Sequence, residues 1–538
     1  MPKIPPGPMK ITALAAGFVM ASLDTTVMQV AGATIQERLH ASLSQLTWAV
    51  DGYVLTFAAL LMLAGGLANR VGARRVYAWG MAIFGVASLA SALAPGIEVL
   101  IAARLLQGVG AALFMPSSLA LLVQAFPDPR ERARVLGIWS AIVSSSMALG
   151  PTIGGIMVSA FGWPSIFLIN LPVGIAGMLL TRRYITGTGG DGRPPAVPGH
   201  AAVILLLACA SFALIEGPQL GWTAAPVVGA IAAAALAAVL LIVRERRTDN
   251  QVMPWALFRD ARFTGANAVG FLFNAAFYGS LFAIGLYVQH ARGASPLQAG
   301  LQILPLTILI PFSNIAFARI SARVAVGPLL AVSFLVAGAS SLALAALVPS
   351  TPYWTAAVAL GVTSVASGII SPAMTTATMN AAGTRHANTA GSVLNANRQI
   401  GSLIGIASVG AVLAVTPGWA GGATLSFLLV GAAYIAGAVI AWRLIHLPER
   451  RQASALTYPS SRTPAPQSSQ PDVPRPEVRT SRRPDLPRSE RPDFPASRRP
   501  NPTSQPSQTS QATVPTVPDN LPCGASSAPD RGQPFSGR

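Results

Sequence analysis

The chain has 538 residues, of which 52% are hydrophobic and only 10% charged. An ordinary soluble domain carries about 25% charged residues, so this composition excludes a water-solvated surface over most of the molecule and points to lipid as the solvent. The net charge of +18 does not point to nucleic acid, because the basic residues fall in short clusters between apolar runs, the pattern that orients a chain in a membrane.

In lipid a segment must satisfy its own backbone hydrogen bonds, so each apolar run of about twenty residues reads as one helix. Taken in order, the runs are 11–33, 47–67, 76–94, 98–124, 134–160 and 164–181. A pair follows at 200–217 and 224–243. Six more lie at 264–289, 298–318, 327–348, 354–380, 391–415 and 424–445. The first run is too long for a signal-peptide core and holds Asp24, so it reads as a retained helix. The expected fold is an all-α polytopic membrane protein with fourteen transmembrane helices. It divides into an N-terminal six-helix bundle (1–183), an inserted helix pair with cytoplasmic loops (184–262) and a C-terminal six-helix bundle (263–446). Residues 447–538 form a Pro/Ser/Arg-rich tail, expected to be disordered and cytoplasmic because it has too little apolar surface to offset the entropy of ordering.

Loop charges give the orientation. Alternate loops hold Arg70, Arg74 and Arg75; Arg130, Arg132 and Arg134; Arg182, Arg183 and Arg193. The later ones hold Arg244, Arg246 and Arg247 with Arg259 and Arg262; then Arg319 and Arg323; then Arg385. The intervening loops offer only Arg38 and Arg292. Positive loops stay inside, which places both termini in the cytoplasm of a cell with this protein in its inner membrane. The loop after the second helix (GGLANRVGARR) and the loop after the tenth (ARISARVAVG) form a weak internal repeat, as expected of two related halves.

Several chemistries find no residues to carry them. A phosphate-binding loop needs a lysine, and the only lysines are Lys3 and Lys10. Two cysteines, Cys209 and Cys523, make neither a disulfide framework nor a metal set. There is no HExxH, CxxC or GxSxG constellation, so no enzyme and no cofactor is expected.

Ionisable groups inside a membrane are costly and usually functional. The helix interiors contain Asp24, Asp51, Arg104 and Arg398, and no Asp or Glu occurs between Asp260 and Glu449. A carboxylate that carries protons therefore belongs to the first eight helices, with Asp24 and Asp51 the candidates; the competing reading is that both are structural, hydrogen-bonded between helices. Arg104 needs a buried partner or a watered cavity, and Gln107 lies one turn away on the same face. The stretch ALGPTIGG sets Pro151 among Gly150, Gly154 and Gly155, a kinked, closely packing element suited to gating.

These stretches resemble the signature motifs of the major facilitator superfamily, in its fourteen-helix drug:proton antiporter family. LDTTVMQVA (Leu23–Ala31) is similar to the first-helix motif, GGLANRVGARR (Gly65–Arg75) to the loop motif and RLLQGVGAA (Arg104–Ala112) to the fourth-helix motif. GPTIGG, with Gly137 upstream, resembles the antiporter motif, and RQIGSLIGIA from Arg398 a late-helix stretch. The resemblance implies the major facilitator fold and alternating access around a midplane cavity. It implies proton-driven export of small amphiphilic organic molecules, with protons, substrate and the bilayer as partners and a monomer as the working unit. By that likeness Asp24 and Arg104 would couple protons, with Asp51 kept as the second candidate from its place in a helix interior; Gly137, Gly150, Pro151, Gly154 and Gly155 would shape the gate. Gly65, Asn69, Arg70, Gly72, Arg74 and Arg75 would form the cytoplasmic latch, and Gln29, Gln107 and Arg398 would reach the substrate cavity. The chain departs from the motifs at Asn69, where the loop motif has an acid, and at Gln29, Ala33 and Ser146. A uniporter or symporter on the same fold, or a non-transporting membrane receptor, are the alternatives. Gly-Pro kinks and the two extra helices favour export over the former, and the lack of a folded sensory domain disfavours the latter.

Overall fold

A computed structural model describes residues 6–186, 197–248, 255–346 and 350–447. The tail proper lies outside the described residues, as do Arg193 and the other residues of 187–196. Among the described residues every regular element is a helix.

The helices are α1 (Pro6–Arg38), α2 (Leu43–Val71), α3 (Ala73–Ala92), α4 (Ile97–Ala125) and α5 (Pro129–Phe161). Next come α6 (Ser165–Tyr184), α7 (Val197–Leu220), α8 (Ala225–Glu245), α9 (Ala261–His290) and α10 (Pro296–Ile320). The last are α11 (Val326–Ala345), α12 (Tyr353–Gly383), α13 (Ala390–Val415) and α14 (Trp419–His446). Thirteen of the described helices are long and apolar enough to cross a membrane. The fourteenth is α3, long enough at 20 residues but less apolar, opening on Arg74 and Arg75.

Each helix matches one expected run, but most begin or end a turn beyond it. An apolar run locates the bilayer core, whereas the helix continues until a cap stops it. Ser42 and Ser295 are such caps: each side chain accepts from the backbone N–H three residues on, and Gln45 and Gln298 reach back in return. These two capping boxes open α2 and α10, the second helix of each half, and add to the internal repeat.

Two further departures have backbone causes. The sixth helix breaks at Ile169 and the tenth at Leu309, just ahead of Pro172 and Pro311, whose nitrogens carry no hydrogen to donate to the helical ladder. α12 and α13 form one continuous helical stretch whose only non-helical residue is Gly383, at φ 68°, a backbone region that glycine enters without steric cost.

Helices α1–α6 pack together, as do α9–α14, and α7 rests on α2 and α13. α8 packs mainly on α7. Trp48 Nε1 on α2 donates to Glu216 Oε1 on α7 at 2.7 Å, a half-buried polar tether for the extra pair.

The two halves meet along three seams, all near one membrane face. Between α5 and α10, Thr307 Oγ1 donates to the Ala148 carbonyl at 2.7 Å and Leu297 N–H to Ser159 Oγ at 3.1 Å. The backbones approach so closely here that a methyl group on Gly155 would lie 2.6 Å from the Pro296 carbonyl oxygen. Between α1 and α9, Gly285 faces the Gln29 carbonyl, and between α2 and α13, Gly410 faces Thr47. The sealed face is the one carrying Arg38 and Arg292.

Candidate functional site

Below the seams, on the side of the arginine-rich loops, the halves part around a cavity of about 280 Å³. α1, α2, α4 and α5 line it from one half and α9, α10, α12 and α13 from the other. Its walls carry the rings of Phe18, Tyr53, Phe57, Trp139, Phe277 and Tyr278, with the amides of Asn274, Asn314, Asn395 and Gln399 between them. Arg398 is the one charged residue among those lining it. The buried Nε of Arg398 has no hydrogen-bond partner, and no ion pair among the described residues involves this side chain.

Asp24 and Arg104 lie behind this wall, each 1% exposed. Arg104 Nη1 donates to Asp24 Oδ2 in a buried ion pair and to Gln107 Oε1 at 2.8 Å, and its Nε donates to the Ala49 carbonyl at 2.9 Å. Gln107 Nε2 donates in turn to Asp24 Oδ1 at 2.8 Å and to Ser88 Oγ at 2.9 Å. Asn170 Nδ2 completes the set, 3.3 Å from both Asp24 Oδ1 and Ser88 Oγ. Five helices thus meet in one network, of which α4 and α6 reach the Asp24 carboxylate of α1 directly. A buried ion pair is tolerable only where further hydrogen bonds satisfy it, and this one is so satisfied. The ring of Tyr53 stacks 4.7 Å from the Arg104 guanidinium carbon and also forms part of the cavity wall. Tyr53 therefore touches the ion pair on one side and the cavity on the other.

Asp51 is different. It is fully buried in α2, and neither carboxyl oxygen has a hydrogen-bond partner. One turn before it, Thr47 touches Gly410 of α13, so helical spacing places Asp51 on the same interface between the halves. An ionised carboxylate without a partner in such a place is very costly, whereas a neutral acid suits it.

Of the three residues expected at the cavity, Arg398 lines it and two do not. Gln107 is consumed by the ion-pair network. Gln29 is buried against α9, its amide unpartnered, on the sealed side of the cavity. Gly150 packs on Thr26 and Gly154 on Val27, both of α1, while Pro151 and Gly155 abut α10. Gly137 stands apart, exposed, with nothing within 4 Å of where a side chain would project. In the loop, Gly72 turns the chain at φ 101° and Arg74 donates to the Arg182 carbonyl at 2.8 Å, tying the turn to the end of α6. Gly65 has open space beside it, and Asn69, Arg70 and Arg75 are exposed.

The sequence reading missed Ser88, Asn170 and Tyr53. Asn170 left a signal: an amide in the apolar run IFLINLPVG is costly in lipid unless bonded. Ser88 left none, because serine satisfies itself within a helix.

Two helical bundles closed at one face around a midplane cavity, with a buried ion pair beside it, define a polytopic membrane transporter of small molecules. The chain matches the Major Facilitator Superfamily model over residues 14–406 and belongs to that superfamily. It is 64% identical over 448 residues to a methylenomycin A resistance protein of Streptomyces coelicolor, covering 83% of this chain and 94% of the relative. A methylenomycin A resistance protein of Bacillus subtilis is 45% identical, over 80% of this chain and 92% of its own length. The tetracenomycin C resistance and export protein of Streptomyces glaucescens is 33% identical, over 75% of each chain.

Proposed function

We propose that this protein exports a small organic antibiotic in exchange for protons, by alternating access, as a monomer in the cell membrane with both termini in the cytoplasm. Residues 1–183 and 263–446 are the two bodies that rock, with 184–262 inserted between them. The arrangement with seams closed is the inward-facing one, because its cavity lies toward the arginine-rich loops. The observation that carries this reading is the Asp24–Arg104 pair one ring behind the cavity wall. Protonation of Asp24 dissolves the ion pair and frees the Arg104 guanidinium, whose movement is felt at once by Tyr53 on the cavity surface. Substrate and proton thereby compete through one side chain, which is what exchange requires. Asp51 is the second acid: neutral in the closed seam, it is free to ionise when the seam parts. The Gly-Pro stretch of α5 is the closely packed element on which α10 moves.

The names of its relatives make methylenomycin A the first compound to test. A sensitive host expressing this chain is expected to gain resistance and to lose it with a protonophore or with Asp24→Asn. Resistance that persists when the proton gradient is collapsed would exclude antiport. No resistance to methylenomycin A or to a wider antibiotic panel, from correctly inserted protein, would exclude drug export. A uniporter would equilibrate substrate in either direction and ignore the gradient, so the same protonophore comparison separates it.

A further inference from the structure

We infer that the substrate is a small organic monoanion, a carboxylate on an apolar body, and that Arg398 is the group that holds its charge. This rests on the reading of the cavity as the transport site and adds to it the chemical class of the cargo.

Four observations lead here. The cavity contains one charged side chain, the guanidinium of Arg398, and no carboxylate. The one fully buried arginine among the described residues, Arg104, is neutralised by Asp24. Arg398 has no such partner; its Nε is buried without an acceptor. A buried cation is costly unless paired, and the C-terminal half has no Asp or Glu from residue 261 to residue 448 to supply the pair from its own helices. Half-buried on the cavity wall, Arg398 is left open to a negative charge carried by what enters the cavity. A guanidinium presents a planar fork of donors that matches a carboxylate in a bidentate pair. Asn395 and Gln399, on the same helix within one turn of Arg398, add amide donors to the same wall.

The remaining walls give the rest of the molecule. Phe18, Phe57, Trp139 and Phe277 are apolar surfaces for a compact hydrocarbon body. The volume of about 280 Å³ lies just below the range of small-molecule sites, roughly 300–1,000 Å³, so the body is small. A cationic drug is disfavoured by the same arrangement, since it would face Arg398 with no anion to receive it.

Charge conservation adds a consequence. Export of a monoanion in exchange for an inward proton moves two elementary charges per cycle in the direction that an inside-negative potential favours. At about 2.3 kcal/mol per charge per 100 mV, the potential drives such a cycle more strongly than one exporting a neutral compound.

The test uses the purified full-length protein and a matched pair of probes, tritiated 1-naphthoate and the neutral isostere 1-naphthamide, at neutral pH. Wild type, Arg398→Gln and Arg398→Lys are compared by saturation binding, then in proteoliposomes. The expected result is tighter binding of the acid than the amide by wild type. Arg398→Gln should lose at least tenfold in naphthoate affinity with naphthamide unchanged, which also shows that the variant is folded. Arg398→Lys should recover part of the loss. Equal affinity for the two probes, a naphthoate affinity indifferent to Arg398→Gln, or no saturable binding of the acid would each overturn the inference. Coupling is read separately. Arg398-dependent naphthoate binding without pH-gradient-driven movement would leave the anion site standing and sink the antiport. Gradient-driven movement of naphthamide, bound no more weakly than the acid, would do the reverse.

Discussion

Gly155→Ala should pry the closed seam apart. The added methyl group would lie 2.6 Å from the Pro296 carbonyl oxygen and 3.1 Å from Leu297 Cα, both backbone atoms that no rotamer change can move. Ordinary contact begins near 3.4 Å, so α5 and α10 must separate by about 0.8 Å at this level. Overpacking of this kind costs typically 1–3 kcal/mol. The strain is present only while the seam is closed, so it acts as a bias of about 5- to 150-fold toward the opposite arrangement. The assay is the distance between nitroxides at Phe161 and Trp354, which are 76% and 67% exposed at the sealed face, one in each half. Cys209 and Cys523 are first replaced by serine. Gly155→Ala should shift the distance distribution to longer values, and Gly229→Ala, where nothing lies within 4 Å, should not. An unchanged distribution in folded Gly155→Ala protein would refute the argument that backbone contact at this glycine holds the seam.

Other outcomes follow from the same geometry. Asp24→Asn strips the counter-charge from Arg104 and should lower stability by about 3–5 kcal/mol, seen as a fall in melting temperature. Adding Arg104→Gln should restore part of that loss, because the buried charge is gone; strict additivity in the melt would argue against the pair. Asp51→Asn keeps the shape and removes the titrating proton from a site with no partners. The closed-seam fraction of the parent, read by the same spin labels, should fall as pH rises, and Asp51→Asn should weaken that dependence without abolishing it, since Asp24 remains. Trp48→Phe removes the shorter of the two hydrogen bonds to the half-buried Glu216, costing about 1 kcal/mol. Faster proteolysis in the α7–α8 pair, with α1–α6 still protected, is the expected sign.

The membrane class, the number of helices and the family were legible in the chain itself. Length of apolar run and loop charge are set by the bilayer, not by neighbouring helices, so they survive in one dimension. The isolated polar residues were legible too: Asp24, Asp51, Arg104 and Arg398 stand out because lipid makes each of them expensive. What each one does was decided only by packing. Arg104 and Arg398 look alike in the sequence, yet one is neutralised by Asp24 across 80 residues and the other meets only the cavity. Asp24 and Asp51 differ in the same way, the first satisfied by three side chains and the second by none. Which helix faces which fixes these pairings, and apolar runs that are hydrophobic all round carry little record of their facing side. The sequence by itself determined that charges sit in the membrane; the tertiary structure alone decided which of them are paired, because pairing is a property of distances between helices.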